Sequence, residues 1–261
     1  MSFFFLGKKR PLPRHIFITG ASSGIGRELA VKYAQNGCRL SLSGRNEERL
    51  NETAQLCRDK GAQVSLFLFD VADEEATRHA ISQAHSFHPL DLIIANAGIS
   101  AGSFGHGESE TTARAIFKTN IFGVLNTVFP AIDALKENGG QIAIISSIAG
   151  LTPLPGCPAY SATKACVRFW GQALNARFSP KIRISVVCPG FIKTPLTDKN
   201  DFPMPFIMPV DKAADLIIKG LRKNKSMITF PFITALGAKI LGLLPNGLLL
   251  PIIKKMPKKE S

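Results

Sequence analysis

The chain has 261 residues, 45% of them apolar and 20% charged, and its formal net charge at pH 7 is +13. A chain of this length and composition can bury one substantial core, so we expect a single globular domain with at most a small appendage. Its five cysteines form no C-x-x-C pair and the apolar run 3–6 is too short for a secretory signal, which indicates a reducing, cytoplasmic compartment. Its five histidines have no ligand spacing, which argues against a metal site.

The positive charge is concentrated at the two ends of the chain. Residues 1–14 carry four basic residues and no acid, a net charge of +4. Residues 254–261 carry four lysines and one glutamate, a net charge of +3, so the two ends hold +7 of the net charge of +13. A nucleic-acid-binding protein is expected to carry basic and aromatic side chains on a folded face instead, so nucleic acid is not an expected partner. Basic ends next to apolar segments favour contact with an anionic membrane surface, and solubilising tails are the alternative.

Seven short apolar runs alternate with longer segments of helical period, which predicts βαβ units and one parallel sheet. The predicted strands are HIFIT (15–19), CRLSLSG (38–44), QVSLFLF (63–69), LDLIIAN (90–96), QIAIIS (141–146), KIRISVVC (181–188) and SMITF (226–230). The predicted helices are 24–36, 46–60, 73–86, 110–137, 158–178 and 211–223. Asp73, followed by two glutamates, is expected to cap the third of these helices.

The first strand is followed by the glycine-rich turn TGASSGIG at 19–26. Gly20, Gly24 and Gly26 allow positive φ and a close approach of the backbone to a ligand, as phosphate-binding loops require. The spacing G-x-x-x-G-x-G matches neither G-x-G-x-x-G nor the P-loop motif, since Arg27 follows the last glycine. The loop alone therefore predicts a phosphate cradle without identifying the phosphate.

The only long break in the alternation is the segment 190–210, which follows the sixth predicted strand. Ligands bind at the carboxyl ends of the strands in open α/β sheets, so a long excursion there predicts a lid or a substrate loop. The hydrophobic effect disfavours a simple exposed connection, because the segment contains five large apolar side chains. These are Phe202, Met204, Phe206, Ile207 and Met208.

Tyr160 and Lys164 are four residues apart on a predicted helix, so they share one face. A neighbouring ammonium favours the phenolate, so Lys164 is expected to lower the pKa of Tyr160 and make it a proton donor and acceptor. A surface pair is the alternative when the motif is considered alone. Ser147 follows the fifth predicted strand, which places its hydroxyl at the sheet edge where the glycine turn also lies.

In combination, the motifs TGASSGIG, NAG at 96–98, Ser147, YSATK at 160–164 and PGFIKT at 189–194 resemble the short-chain dehydrogenase/reductase family. They occur in the family's order and approximate spacing, and the resemblance covers about residues 14–230. It implies a Rossmann-like, doubly wound parallel sheet of about seven strands and an NAD(P)-dependent oxidoreductase that acts on CH–OH or C=O groups.

The resemblance also implies four catalytic residues. Tyr160 would be the general acid in carbonyl reduction, and Lys164 would lower its pKa and bind the nicotinamide ribose. Ser147 would hold the substrate oxygen. Asn120, in TNIFG, would support a water in the proton relay, and a local backbone hydrogen bond is the alternative role for its side chain.

Further positions match the family's cofactor site. Asp70 would contact adenine, Asn96 would support the pocket, and Thr194 would contact the nicotinamide carboxamide, with backbone groups of Ile192 beside it. The full set implied for cofactor binding is Gly20, Ser22, Ser23, Gly24, Ile25, Gly26, Arg45, Asp70, Val71, Asn96, Ala97, Gly98, Tyr160, Lys164, Pro189, Gly190, Ile192 and Thr194.

The end of the second predicted strand bears on the choice of cofactor. An acidic residue about twenty positions after the glycine loop would accept the ribose 2′-hydroxyl of NAD. This chain has Gly44 and Arg45 there, and a guanidinium suits a 2′-phosphate, so NADP(H) is favoured over NAD(H). The alternative is an Arg45 side chain that points to solvent.

The segment after the last strand is apolar but broken by prolines. It carries one charge, Lys239, between residues 230 and 253, and Pro231, Pro245 and Pro251 divide it into pieces too short to span a membrane. Two short helices, at about 232–244 and 246–253, fit an element that lies in a membrane interface. A clamp over the substrate pocket and a subunit interface are the two alternatives.

The sequence thus predicts an α/β protein with a basic arm (1–13), a catalytic domain (14–230) with its substrate loop at 190–210, and an apolar and basic extension (231–261). The predicted function is an NADP(H)-dependent carbonyl reductase or alcohol dehydrogenase for an apolar substrate of the lipid, steroid or acyl type. The alternative is a catalytically silent nucleotide-binding regulator or scaffold. The resemblance implies a homo-oligomer, either a dimer or a tetramer. The expected location is the cytoplasm, where the extension would contact the inner face of a membrane.

Overall fold

The computed structural model of the protein describes residues 11–100, 108–198 and 204–255. Seven strands form one sheet in which every neighbouring pair is parallel, with the order β3-β2-β1-β4-β5-β6-β7. The strands are β1 (His15–Thr19), β2 (Arg39–Gly44), β3 (Gln63–Leu68), β4 (Leu92–Ala95), β5 (Gly140–Ile145), β6 (Ile182–Pro189) and β7 (Met227–Phe230). The predicted fold is confirmed, because the strand order reverses at β1 as it does in a doubly wound sheet.

Helices connect the strands and cover the sheet. They are α1 (Gly24–Tyr33), α2 (Glu47–Arg58), α3 (Glu74–Phe87), α4 (Glu110–Phe117), α5 (Gly123–Leu135), α6 (Pro158–Phe178), α7 (Val210–Arg222), α8 (Phe232–Leu243) and α9 (Asn246–Ile253). Asp73 caps α3 as predicted, since its side chain accepts a hydrogen bond from the amide of Ala76 at 3.0 Å. The strands and helices follow the predicted boundaries closely because buried β-branched runs and capping residues mark them.

Two clusters of buried side chains form the core. Leu29 and Ala30 of α1 and Ile217 and Leu221 of α7 belong to one cluster, and Val128 of α5 belongs to the other. The strands supply side chains to both clusters, so nearly all residues of β1, β2, β4, β5 and β6 are buried. Strands that are buried on both faces explain why the sequence shows continuous apolar runs rather than alternation.

The sequence predicted one uninterrupted helix over 110–137, and this is wrong in one respect. A π-helical turn at Lys118–Phe122 separates α4 from α5, with Asn120 at its centre. Glu110–Leu135 is long and apolar enough to span a membrane by length and composition, but half of its most apolar window is buried in the protein. It packs against α3, β4 and β5, which identifies it as a core helix.

The substrate-loop prediction for 190–210 concerns residues that are only partly described, and Phe202 lies outside them. The two ends of the segment are joined, because Met208 donates its amide to the carbonyl of Phe191 and Lys193 donates to the carbonyl of Met208, both at 2.9 Å. Met208 packs against the core. Phe206 and Ile207, however, are 58% and 41% exposed, so the expectation that they avoid water is wrong.

Candidate active site

The glycine turn after β1 makes close backbone contacts that only glycine permits. Gly20 has φ of 67°, a conformation that side chains with a Cβ rarely adopt. A Cβ on Gly26 would collide with the carbonyl oxygen of Gly20 and would lie 2.5 Å from Nδ2 of Asn96. The turn therefore leaves its backbone groups close to the sheet edge, as expected of a phosphate cradle.

The N-terminus of α1 differs from those of α2 and α3. Asn46 and Asp73 cap α2 and α3 with side-chain hydrogen bonds, and both helices have two glutamates in the first turn. Within the described structure, Ser23 makes no cap hydrogen bond to α1 and the first turn of that helix has no acid. Free amide groups and an uncompensated helix dipole at this place suit an anionic group.

Asn96 connects the glycine turn to the end of β4. Its Nδ2 donates to the carbonyls of Thr19 and Gly20 at 2.9 and 3.2 Å. The hydroxyl of Thr19 accepts from the amides of Asn96 and Ala97 at 3.0 and 3.2 Å. These contacts fix the turn and the NAG segment relative to each other.

The hydroxyl of Ser147 lies at the same edge and is nearly buried, with 8% of the residue exposed. Its Oγ accepts from the amide of Ala149 at 3.1 Å and donates to the carbonyl of Pro189 at 3.4 Å. Tyr160 lies on the first turn of α6, and its phenol interacts with the Ser147 hydroxyl in a way that favours the phenolate and lowers the pKa of the phenol. Two hydroxyl groups from different elements therefore lie near each other.

Lys164 is buried one turn further along α6. Its Nζ donates to the carbonyl of Ile145 at 2.9 Å and lies 5.6 Å from the centre of the Tyr160 ring. Burial lowers the pKa of this ammonium to about 8. The backbone carbonyl of Lys164 accepts from the hydroxyl of Ser146 at 2.7 Å, so this turn of the helix is fixed against the end of β5.

The sequence predicted that Lys164 lowers the pKa of Tyr160, and the structure shows the opposite shift. Burial raises the pKa of Tyr160 to about 12, and the interaction with Ser147 offsets only part of that effect. Lys164 hydrogen-bonds Ile145 rather than the phenol, so desolvation dominates. The phenol of Tyr160 is therefore neutral at neutral pH in this structure.

Asn120 joins the π-helical turn to the other candidates. Its Nδ2 donates to the carbonyl of Ile99 at 2.9 Å and to the hydroxyl of Thr163 at 3.2 Å, and its Oδ1 accepts from the amide of Ile99 at 2.9 Å. The alternative of a local backbone hydrogen bond is wrong, because Ile99 is 21 residues away. A Cβ on Gly98 would lie 3.2 Å from Oδ1 of Asn120 and 3.4 Å from Nζ of Lys164, so these three residues converge.

Arg45 and Asp70 follow β2 and β3 and form an exposed ion pair at 3.2 Å. The alternative, in which the Arg45 side chain only points to solvent, therefore leaves out its contact with Asp70. The ion pair occupies only Nη1 of a guanidinium group that has five N–H donors. Because exposed ion pairs are weak, both side chains remain accessible to a ligand. Ser22 is close by, since a Cβ on Gly44 would lie 3.3 Å from its Oγ.

The segment after β6 reaches the glycine turn. A Cβ on Gly24 would lie 3.4 Å from the side chain of Thr194, which brings the glycine turn and the PGFIKT motif together. Gly190 donates its amide to the carbonyl of Phe230, and Ile192 is buried. Of the remaining candidates, Val71 is buried and Ile25 packs against the core.

Sequence reasoning missed several residues that support the site. Thr19 and Thr163 hydrogen-bond Asn96 and Asn120, and Asn126 donates to the carbonyl of Val71 at 2.9 Å. Glu108 contacts the first turn of α6. Thr19 is the first residue of TGASSGIG and Thr163 is part of YSATK, so their positions gave a signal, whereas nothing in the sequence connects Glu108 to α6.

This fold, with the glycine turn at the carboxyl edge of the sheet, is that of dinucleotide-binding α/β proteins. The family model for short chain dehydrogenase matches residues 14–203, and the chain belongs to this family. It is accordingly an oxidoreductase that acts on alcohol or carbonyl groups.

The chain is similar to curated relatives along most of its length. It is 32% identical over 238 residues to an "uncharacterized oxidoreductase" of Myxococcus xanthus, which covers 90% of this chain and 94% of the relative. It is 33% identical over 224 residues to "11-beta-hydroxysteroid dehydrogenase-like 2" of Arabidopsis thaliana, which covers 83% of this chain and 73% of the relative.

Solved structures share the fold and include both cofactor types. A short chain dehydrogenase from Burkholderia cenocepacia in complex with NADP has a TM-score of 0.77 and 25% identity, over 93% of this chain and 98% of its own. One from Mycobacterium paratuberculosis bound to NAD has a TM-score of 0.73 and 24% identity, over 85% and 98%. The fold binds NAD(P). The similarity does not distinguish NAD from NADP, so that choice depends on individual residues of the site.

Proposed function

We propose that the protein is an NADP(H)-dependent oxidoreductase that reduces the carbonyl group of an apolar substrate. The observation that carries the proposal is the proximity of the Tyr160 phenol to the Ser147 hydroxyl, with Nζ of Lys164 lying 5.6 Å from the centre of the Tyr160 ring. A neutral phenol beside a second hydroxyl can donate a proton to a carbonyl oxygen that both groups contact. The pKa of about 12 keeps Tyr160 protonated, which suits an acid in the direction of reduction.

The proposed roles follow from these positions. Ser147 holds the carbonyl oxygen by its hydroxyl, and Tyr160 donates the proton that converts the developing alkoxide to an alcohol. A bound NADPH supplies the hydride. Lys164 binds the nicotinamide ribose, and Asn120 connects Lys164 to a proton relay, since the two side chains converge at Gly98.

The preference for NADP(H) is supported by the charge at the end of β2. Arg45 stands where an acid would select NAD, and the hydroxyl of Ser22 lies beside Gly44. A 2′-phosphate at this place would accept hydrogen bonds from both side chains, and Asp70 would then contact the adenine. The uncapped N-terminus of α1 would hold the diphosphate, with Gly20, Gly24 and Gly26 giving access to the backbone.

The test is the substitution Tyr160→Phe, assayed with NADPH and a panel of aromatic, long-chain and steroid ketones. We expect turnover to fall by at least about 1000-fold, because the proton donor is lost, with NADPH affinity nearly unchanged. The chain has two tyrosines, and Tyr33 is buried in the core away from the edge, so Tyr33→Phe is the matched control. Near-normal turnover in Tyr160→Phe would contradict the acid role.

The alternative is a nucleotide-binding regulator or scaffold without turnover. The intact set of Asn120, Ser147, Tyr160 and Lys164 speaks against it, because binding alone needs no proton donor. NADPH binding without oxidation across the whole panel, in the unmodified protein, would favour this alternative.

We also propose that the extension 231–261 contacts an anionic membrane surface at the cytoplasmic side. On α8, Phe232, Leu236, Ile240 and Leu243 follow helical spacing and are 45–84% exposed, and Ile233 beside them is 64% exposed. On α9, the residues Leu248, Leu250 and Ile252 are 43–61% exposed. This apolar surface costs free energy in water and is continuous along the chain, which is typical of an interfacial element.

Charge complementarity favours a lipid surface over the clamp and the subunit interface. Between Asp215 and Glu260 the sequence contains nine basic residues and no acid. They are Lys219, Arg222, Lys223, Lys225, Lys239, Lys254, Lys255, Lys258 and Lys259, of which the last two lie outside the described residues. Each basic group near an anionic surface contributes about 1 kcal/mol to binding.

Sedimentation with vesicles tests the membrane proposal. We expect the full chain to sediment with phosphatidylserine-containing vesicles and to remain in the supernatant with purely zwitterionic ones. The fourfold variant Phe232→Ser, Leu236→Ser, Ile240→Ser and Leu243→Ser removes exposed side chains only and serves as the loss-of-binding variant. Equal recovery of both proteins in the supernatant would contradict the proposal.

A homo-oligomer is the proposed assembly state. The helices α4 to α6 and the π turn between them expose Phe117, Phe122, Phe129 and Phe169 by 40–65%, and Phe129 packs edge-on against Trp170. We assign this aromatic surface to a second copy of the chain, because aromatic residues are enriched in interface cores. Phe122→Asp with Phe169→Asp should convert the assembly to monomers in sedimentation equilibrium, and an unchanged mass would contradict the assignment.

A further inference from the structure

We propose that Glu108 is a positioning residue that holds Tyr160 in place by capping the N-terminus of α6. The inference rests on the proposed acid role of Tyr160. Glu108 precedes α4 and is separated by more than 50 residues from the helix that it contacts.

The first turn of α6 is not capped by the side chain of its own N-cap residue. Its N-cap residue, Cys157, makes no side-chain cap hydrogen bond, and Pro158 at the first position has no amide hydrogen. The amide of Ser161 already donates to the carbonyl of Cys157. The free donors of the first turn are therefore the amides of Ala159 and Tyr160.

The carboxylate of Glu108 accepts from both of these amides. Its Oε2 lies 2.5 Å from the amide nitrogen of Ala159, and its Oε1 lies 3.0 Å from that of Tyr160. A carboxylate at a helix N-terminus is favoured by the helix dipole as well as by the hydrogen bonds. One side chain thus completes the first turn of the helix that carries the proposed acid.

Glu108 also links this turn to the element that carries Asn120. The next residue, Ser109, caps α4 by accepting from the amide of Thr112 at 3.2 Å, and α4 continues into the π turn. On the other side of Tyr160, Ser161 is anchored by contacts of its Oγ with the carbonyls of Ala149 and Thr152. Tyr160 is therefore supported from both sides, and Glu108 is the support on the N-terminal side.

Lys164 has its own anchors at Ile145 and Ser146, one turn further along. Loss of the Glu108 cap should therefore disturb the phenol without disturbing the ammonium. This separation predicts reduced proton transfer with intact cofactor binding, which a general loss of stability would not produce.

The experiment compares Glu108→Ala, Glu108→Gln and Glu110→Ala, all in the full chain with NADPH and the best ketone of the panel. Glu110 belongs to the same segment and pairs with Arg114 at the surface, so its variant controls for loss of one negative charge. For Glu108→Ala we expect kcat to fall by about 10-fold to 100-fold, because a displacement of about 1 Å has that effect on an oriented group. NADPH affinity should stay within about twofold, and the solvent deuterium isotope effect on kcat should rise.

Glu108→Gln keeps one accepting oxygen but loses the charge and the second acceptor, so it should recover part of the lost kcat and lie between Glu108→Ala and the unmodified protein. The Glu110→Ala variant should match the unmodified protein. A lower melting temperature in Glu108→Ala with unchanged kcat and isotope effect would overturn the inference and leave Glu108 as a structural cap. Failure of the glutamine variant to recover kcat would overturn it as well.

Tyr160→Phe is assayed in parallel to separate this inference from the proposed function. Full turnover in that variant contradicts the acid role itself. Lost turnover in Tyr160→Phe together with normal kcat in Glu108→Ala contradicts only the positioning role of Glu108.

Discussion

The carboxyl edge of the sheet and the C-terminal helices α8 and α9 are both rich in residues that the sequence singles out, but they are built in opposite ways. At the edge, Ser147, Lys164 and Asn120 are almost fully buried and hydrogen-bonded to partners far along the chain. On α8 the large side chains are exposed, and Ala235 is the one residue of the helix classed as buried. The edge of the sheet is held by hydrogen bonds within the chain, whereas α8 is characterised by the apolar surface that it leaves exposed.

The difference teaches that substitutions should act differently in the two regions. A change at the edge alters atoms that are already in contact, so it should affect binding and turnover in solution. A change on α8 alters a surface that has few contacts within the chain. It should therefore affect binding of that surface to a membrane and leave turnover in solution unchanged. The following substitutions test this contrast, from the largest expected effect to the smallest.

Gly26→Ala should have the largest effect. The added Cβ would collide with the carbonyl oxygen of Gly20 and the amide of Asn96, so the turn cannot keep its geometry. We expect kcat/KM for NADPH-dependent reduction to fall by more than about 100-fold, since the phosphate cradle is displaced. Steady-state kinetics with NADPH measure this, and a loss of less than about threefold would show that the cradle is not where the diphosphate binds.

Arg45→Ala should weaken NADPH binding by about 10-fold to 100-fold and leave NADH binding unchanged. The loss of charge-assisted hydrogen bonds to a 2′-phosphate accounts for an effect of this size. Titration of both cofactors by fluorescence measures the difference. Lys60→Ala, which removes a basic residue that hydrogen-bonds Val31 on the surface, is the control, and equal losses for NADPH and NADH in Arg45→Ala would contradict the cofactor assignment.

The pH dependence of NADPH binding should reflect Lys164. Burial disfavours its ammonium form and lowers the pKa to about 8, so the group is charged below that pH and becomes neutral above it. If the ammonium binds the ribose, affinity should be nearly constant from pH 7 to about 7.5, where the 2′-phosphate is largely a dianion, and about tenfold weaker at pH 9. Tyr160→Phe should show the same profile, because the pKa of Tyr160 is about 12, and a flat profile to pH 10 would contradict the role of Lys164.

Gly237→Ala should have the smallest effect and is the direct counterpart of Gly26→Ala. No atom lies within 4 Å of a Cβ at this position on α8. Alanine in a helix interior is more stable than glycine by about 0.5–1 kcal/mol, so we expect the melting temperature to rise by about 1–4 °C with unchanged kinetics. A loss of turnover with a water-soluble ketone would show that α8 takes part in the site.

The fold and the position of the site could be predicted from the sequence because local signals determine them. Buried runs define the strands, and the carboxyl ends of parallel strands must share one edge, which places the glycine turn, Asn96 and Ser147 together. The four-residue spacing of Tyr160 and Lys164 places both on one face of α6. These features need no knowledge of contacts between distant residues.

The features that the sequence could not predict depend on such contacts. The π turn at Lys118–Phe122 accompanies the hydrogen bonds of Asn120 to Ile99 and Thr163, which no periodicity reveals. The raised pKa of Tyr160 follows from burial rather than from its neighbour in the motif. The cap of Glu108 on α6 joins this residue to Ala159 and Tyr160, which are 51 and 52 positions further along the chain. The exposure of Phe206 depends on which residues pack around its loop.

The packing of α8 against the turn that follows Ser147 bears on how activity should be measured. A Cβ on Gly242 would collide with the carbonyl oxygen of Leu151, so the end of α8 packs directly on the short turn that follows Ser147. Under the proposed membrane contact, a lipophilic ketone would enter the site from the bilayer rather than from bulk water. Its KM would then be a mole fraction in the lipid phase, and adding inert lipid at a constant amount of substrate would slow the reaction by dilution within the surface.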